Sequence, residues 1–381
     1  MPPLHRPRSA ARRSHRWGLA AVLCTLCILL ASSLDPTSGI AAENKPAMRG
    51  VEVTQVPLDA KASGAVLHLG MQVRNLYALD LADQSFLAEG RYWLGWDDAL
   101  QKEMERLNIE PRQLVEFTNE IEPAQFSQDE VVGLSQQDQP SGSHFACIKF
   151  SGKFHIADVE QRRAPFDRQR LEISLEVNPI ALASGQITLV PPQDPNPLIA
   201  GESASISGFA LSDARWTRQN VRYAESASVQ GLQGTRDVAY SRATAVFDYS
   251  PDASAVFLKW LLPLIVVMGV VVLAPSIDGT LGDVRLAIPS AALLTLVVLH
   301  GSYKGNFPPA PYLTYLDELY GYSYIVCFVI FLLFLVGTNA HAKSKPDQVA
   351  QVNISVNRLD LIVQSGAMIG FAVVALVGWF N

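Results

Sequence analysis

The fold class this sequence predicts is an exported antiparallel β-sandwich followed by a four-helix transmembrane bundle. Three observations predict it. Short runs of alternating apolar and polar residues fill the stretch from Val51 to Tyr249, separated by clusters of Gly, Pro, Asn and Asp. Beyond Ser250, four segments approach the roughly 20 apolar residues that a helix needs to cross hydrocarbon. The first residues have the layout of an export signal.

In chain order the signal comes first. Arg6, Arg8, Arg12, Arg13 and Arg16 form a basic start, Gly18 to Ala31 an apolar run, and Ser38 to Ala42 a small-residue cleavage site. The expected divisions are a signal peptide at 1–42, a β-sandwich at 43–252 and a four-helix membrane domain at 253–381. A retained anchor is the alternative for 1–42, and either way the sandwich is delivered across the membrane. The chain of 381 residues has room for both domains. It is 49% hydrophobic and only 17% charged, below the roughly 25% usual in soluble domains. A net charge of −6, with no basic stretch carrying interleaved aromatics, argues against a nucleic-acid partner.

Within the sandwich, alternation places strands at Val66–Val73, Phe86–Leu94, Cys147–Ile156 and Leu171–Val177. Gln101–Gln113 suggests a short helix, while Gln136–Ser143 and Pro191–Pro197 read as loops. Cys147 is alone in this domain, so it forms no internal bridge and reads as a small buried hydrophobe. His144 and His155 are isolated, which gives no metal-ligand spacing. No G-x-S-x-G, H-E-x-x-H or P-loop is present, so the expectation is a protein that is not an enzyme and needs no cofactor. Asp97 and Asp98 are adjacent and point to opposite faces of a regular strand, so they cannot converge as a carboxylate pair.

The four spans are expected at Phe257–Pro275, Arg285–Tyr303, Leu319–Val336 and Leu361–Phe380. Lys343, Lys345 and Arg358 between the third and fourth spans mark a cytoplasmic loop, which leaves the sandwich and the C-terminus outside. In a bacterium this orientation corresponds to the inner membrane with a periplasmic sandwich. Asn353–Asp360 reads as an interfacial helix, and Trp379–Phe380 as an interface belt.

The second span has an unusual face. At 100° per residue, Asp283, Ala287, Ala291, Leu294, Val298, Gly301 and Gly305 fall within about 40° of one line. Arg285 points away from that line and reads as an interfacial anchor. Pro289 interrupts the helix and is expected to bend it. Such a stripe either lets two membrane helices pack closely or lines a pore.

Further motifs bear on that choice. After Phe86 comes Tyr92-Trp93-Leu94-Gly95-Trp96-Asp97; Pro165-Phe166-Asp167-Arg168-Gln169 precedes Leu171-Glu172-Ile173. Lys259-Trp260-Leu261-Leu262-Pro263 opens the membrane domain, and Pro308 to Asp317 joins the second and third spans. In this order and spacing the chain resembles the prokaryotic pentameric ligand-gated ion channels, relatives of the Cys-loop receptors. It lacks the cysteine pair of their signature loop, has Ala164 in place of that loop's first Phe, and lacks their arginine before the first span.

The resemblance implies a homopentamer in lipid that passes inorganic ions when a small molecule or a proton binds between subunits. It places Asp283, Ala287, Ala291, Leu294, Val298 and Gly301 on the pore wall, Leu294 and Val298 at the gate, and Asp283 at a cation-selecting mouth. It makes Tyr92 or Trp93, with Trp216 and Tyr223, the ligand-binding aromatics; Trp96 reads as core. It assigns coupling to Pro165, Phe166, Asp167, Pro308, Pro311 and Tyr312. A non-conducting membrane-anchored receptor or assembly module of the same fold is the alternative.

Overall fold

The computed structural model describes residues 51–131, 143–181, 186–192, 206–223, 239–279, 281–344 and 349–380. The expected signal peptide lies outside them, as do most of the two expected loops.

Alternation becomes two packed sheets. The first has the order β1 (Val51–Val56), β10 (Phe209–Tyr223), β11 (Ala239–Pro251), β8 (Gln169–Val177) and β4 (Val115–Phe117). The second has the order β5 (Glu120–Ile121), β7 (Ser143–His155), β3 (Ser85–Asp97), β2 (Ala65–Asp80) and β9 (Ile187–Val190), with β6 (Ser127–Glu130) also on β7. All pairs are antiparallel except β2 with β9. On β3 the inward positions Phe86, Ala88, Tyr92, Leu94 and Trp96 are buried, and the positions between them are partly open. They meet Leu171, Ile173, Leu175 and Phe247 of the opposite sheet. Cys147 is buried and free, as the sequence suggested. The expected helix at Gln101–Gln113 is shorter: α1 covers Asp98–Leu107, capped by Asp97, whose carboxylate accepts from the Leu100 amide at 2.9 Å. Asn108, at φ 51°, ends it in the left-handed conformation.

Four helices long and apolar enough to cross a membrane follow: α2 (Ala253–Ser276), α3 (Gly282–Lys304), α4 (Tyr315–Ala342) and α5 (Val349–Phe380). Each outruns its expected span. α2 begins directly after β11, capped by Asp252, and widens into a π turn at Phe257–Leu261 just before Pro263. α3 remains helical through Pro289, so the expected interruption does not end the helix. α4 opens on a reciprocal capping box between Thr314 and Asp317. The expected interfacial helix at Asn353–Asp360 is instead the first part of the continuous α5. The helical core is built from Leu264, Met268, Leu296, Tyr320, Ile330 and Phe334 among others.

Candidate functional site

α3 has two unlike faces. Arg285, Pro289, Ala292, Leu296 and Tyr303 are buried against the chain's own helices. Asp283, Ala287, Ala291, Leu294, Val298 and Gly301 are all exposed; Leu294 and Val298 are 69% and 63% open. The small-residue stripe therefore packs against none of the described helices of this chain. On the open side, Ser290 and Thr295 are satisfied within the helix: Ser290 donates to the Leu286 carbonyl at 2.8 Å and Thr295 to that of Ala291 at 2.9 Å.

Arg285 is not an interfacial anchor. It is 2% exposed, donates to Asp360 at 2.6 Å, and lays its guanidinium 4.2 Å from the centre of the Phe334 ring. The helical angle gave its direction away from the stripe, but its partner lies 75 positions away on α5.

The candidate ligand aromatics separate by strand parity. Tyr92 is fully buried and hydrogen-bonds Gln128 at 2.8 Å, and Trp216 is 3% exposed. Both rings belong to the sandwich core and present nothing to a surface ligand. Trp96 is also core, as the sequence suggested. Trp93, one residue after Tyr92, faces the other side of the sheet and lies over Gly70 on β2, where any Cβ would collide with its indole. Tyr223 ends β10 and is 44% exposed. Around it stand residues the sequence did not single out. Tyr223 donates to Glu176 at 2.9 Å and accepts from Arg242 at 2.9 Å, while Tyr240 packs edge-on at 5.4 Å. Arg242 is also ion-paired with Glu176 at 2.7 Å. Burial, then the adjacent Glu176 charge, pushes the Tyr223 hydroxyl up to about 12. Burial and the same carboxylate raise Glu116. Glu176 alternates with inward Leu175 and Val177, so its outward position was legible; its cover of Tyr223 and Arg242 was not.

A third cluster joins the sandwich to the helices. The loop from β7 to β8 carries Pro165, Phe166 and Asp167. Ala164 is buried in the helical core, and Phe166 sits between Tyr315 and Trp379, at 6.3 Å and 5.5 Å between ring centres. The Arg162 carbonyl accepts the Tyr315 amide at 2.9 Å, satisfying one of the orphan donors at the start of α4. Arg162 lies over Tyr312 and Arg163 over Trp379. Asp167 accepts from the Arg163 amide at 2.7 Å. Burial nevertheless pushes its carboxyl up to about 6. Of the expected coupling residues, the contacts bring Phe166 into the helical domain and place Tyr312 under the same loop. Pro308 is buried and Pro311 exposed. Tyr315, Trp379, Arg162 and Arg163 are additions; the sequence had placed Trp379 in an interface belt.

No protein-family model matches this chain, and a comparison with curated proteins returned no match.

Proposed function

We propose that this chain is one subunit of a pentameric ligand-gated ion channel that selects cations. The observation that carries the reading is the open face of α3. A membrane helix that packs its opposite face and leaves small residues, an acid and two apolar positions uncovered is suited to a shared central wall. Five copies would join those faces around one axis. Leu294 and Val298 would then form apolar rings that block ions by dewetting, and a ring of Asp283 would favour cations at the mouth. Closure would be governed from the sandwich, with Trp93 and Tyr223 as the surface aromatics offered to a ligand and Glu176 and Arg242 behind Tyr223. The Phe166 loop, seated on the first turn of α4 and the end of α5, would carry the signal to the bundle. The resemblance of the motifs supports the same reading, as does the sandwich preceding four apolar helices.

The test is current recording from the purified protein in a planar bilayer during ligand and pH screening. Cation-selective currents are expected, with a reversal potential that shifts when Asp283 becomes Ala. An unchanged reversal potential would remove Asp283 from selectivity, and no current under any condition would favour a non-conducting receptor.

A further inference from the structure

We propose that a cleft between α2 and α3, at the sandwich end of the bundle, binds a phosphate ester, presented by an anionic phospholipid headgroup or by a soluble phosphate ester. The cleft encloses about 330 Å³. Lys259, Trp260 and Pro263 line it from α2, Ser302 and Asn306 from the end of α3, and Tyr320 from α4. β11 runs directly into α2, and α3 ends at Lys304, so the lining lies in the helical turns nearest the sandwich. In a membrane that is the level of the lipid headgroups.

Tyr320 is the buried member of the lining. It is 1% exposed, and its ring is stacked on His300 at 4.7 Å. Two other phenols stand around the same histidine, and both are answered: Tyr303 shares a hydrogen bond with Thr314 at 2.9 Å, and Tyr324 donates to the Leu296 carbonyl at 3.2 Å. The Tyr320 hydroxyl has no hydrogen-bond partner among the described residues. It is not sealed in, and it keeps surface open to the cleft it lines. A phenol set at the back of a cleft without an acceptor forgoes a hydrogen bond that a guest oxygen restores.

The rest of the lining narrows the guest. Lys259 is exposed, makes no ion pair with a described residue, and rests 4.5 Å from the centre of the Trp260 ring. Trp260 is fixed in turn, edge-on to Tyr303 at 5.6 Å. Both belong to the π turn at Phe257–Leu261, a widened turn of the kind that frequently marks a functional site. Asn306 is anchored by donating to the Ser302 carbonyl at 2.7 Å. The lining holds one cation and no carboxylate, which favours an anion. Its donors are an ammonium, a hydroxyl and a phenol on three different helices. A phosphate ester spreads its acceptor oxygens tetrahedrally and can meet all three, whereas a carboxylate offers two oxygens in one plane. Leu262, one turn on from Lys259 and 38% exposed, offers apolar surface for an acyl chain. The proposal does not depend on the chain conducting ions.

Native mass spectrometry of the full chain, purified in detergent and stripped of lipid, tests it with phosphatidylglycerol, phosphatidylcholine and glycerol 3-phosphate. The wild type should retain phosphatidylglycerol about tenfold better than phosphatidylcholine, whose choline cation offsets its phosphate; tenfold is the value of one hydrogen bond to a charged group. Glycerol 3-phosphate should displace it. Lys259→Gln should abolish the preference, and Tyr320→Phe, which keeps the stacked ring, should weaken it about threefold. Lys304→Met removes a cation from the same end of the bundle but outside the cleft, and should leave the preference intact. Saturable glycerol 3-phosphate binding that Lys259→Gln and Tyr320→Phe remove, without any lipid preference, assigns the site to soluble phosphate esters. Equal retention of the two lipids with no saturable glycerol 3-phosphate binding overturns the proposal. A preference that survives Lys259→Gln, or that Tyr320→Phe leaves unchanged in protein melting like the wild type, overturns it too, because the guest then lies outside the cleft. So does a preference lost equally in Lys304→Met, which would reduce it to general surface charge.

Discussion

Among the described residues of the helical bundle two carboxylates are buried, and their surroundings differ. Asp317, near the sandwich, has a side chain 3% exposed and receives His300 at 2.9 Å, Lys304 at 2.6 Å and the Thr314 amide at 3.0 Å. Asp360, near the other end, is almost as buried but is held by Arg285 alone, with one oxygen left over. Near the sandwich, α3 and α4 are tied by a fully answered charge. At the remote end the tie between α3 and α5 is incomplete beside an open cleft. A buried charge stabilises only when its remaining lone pairs are satisfied. The first site therefore reads as a fastening, whereas the second is a single-bonded ion pair in which Arg285 Nε and Asp360 Oδ1 both stay unanswered.

The largest effect that would sharpen this contrast is at Arg285. Arg285→Leu leaves Asp360 buried without a counter-charge and should cost about 3–5 kcal/mol. The double change Arg285→Leu with Asp360→Leu should recover most of that loss. Thermal melting in detergent reads both, and a double variant no more stable than the single would break the pairing argument. Asp317→Leu should cost less, about 2–3 kcal/mol, because the Lys304 side chain is 47% exposed and can turn to water. Lys304→Met should cost under about 1 kcal/mol for the same reason, by the same measurement.

Smaller still is the effect of Asp167, which lies at the domain junction. Its folded carboxyl titrates near 6, against an ordinary value of 3.8. Between those values the folded state binds the proton and the unfolded state has lost it. The contribution to stability is therefore full below 3.8 and disappears as pH rises through about 6. Asp167→Asn should flatten that part of the melting-temperature profile, and a profile identical to the wild type would mean that the junction does not bury this group.

Much of the fold was legible because two periods are plain in the residues. β2, β3, β7 and β8 alternate cleanly, and four apolar segments stand apart from them. β1 was not legible, since Val51–Val56 is an edge strand whose middle four residues are all exposed. β9 is four residues long and pairs parallel, which leaves too little pattern to read. Helix ends were missed where polar residues belong to the membrane domain. Asn353, Asn357 and Asp360 lower the hydropathy of α5, yet they face the α2–α3 turn. The stripe on α3 was legible because periodicity gives direction. Direction does not give partners. That is why Arg285 was placed at an interface, and why the ring of Tyr92 was offered to a ligand although its strand parity turns it inward beside an outward Trp93.

The seat of Phe166 between Tyr315 and Trp379 also sets an order of events during synthesis. The ribosome makes Phe166 early, with the strands around it, and makes its two aromatic neighbours only as the third and fourth helices emerge. Once β11 has completed the sheets, and until those helices arrive, the growing protein carries the Phe166 ring without its aromatic neighbours. The ring is covered on its second side only when the far end of α5 has arrived. Completion of the junction is thus a late checkpoint of biogenesis, and a chain stalled before α5 would expose the kind of surface that chaperones and proteases recognise.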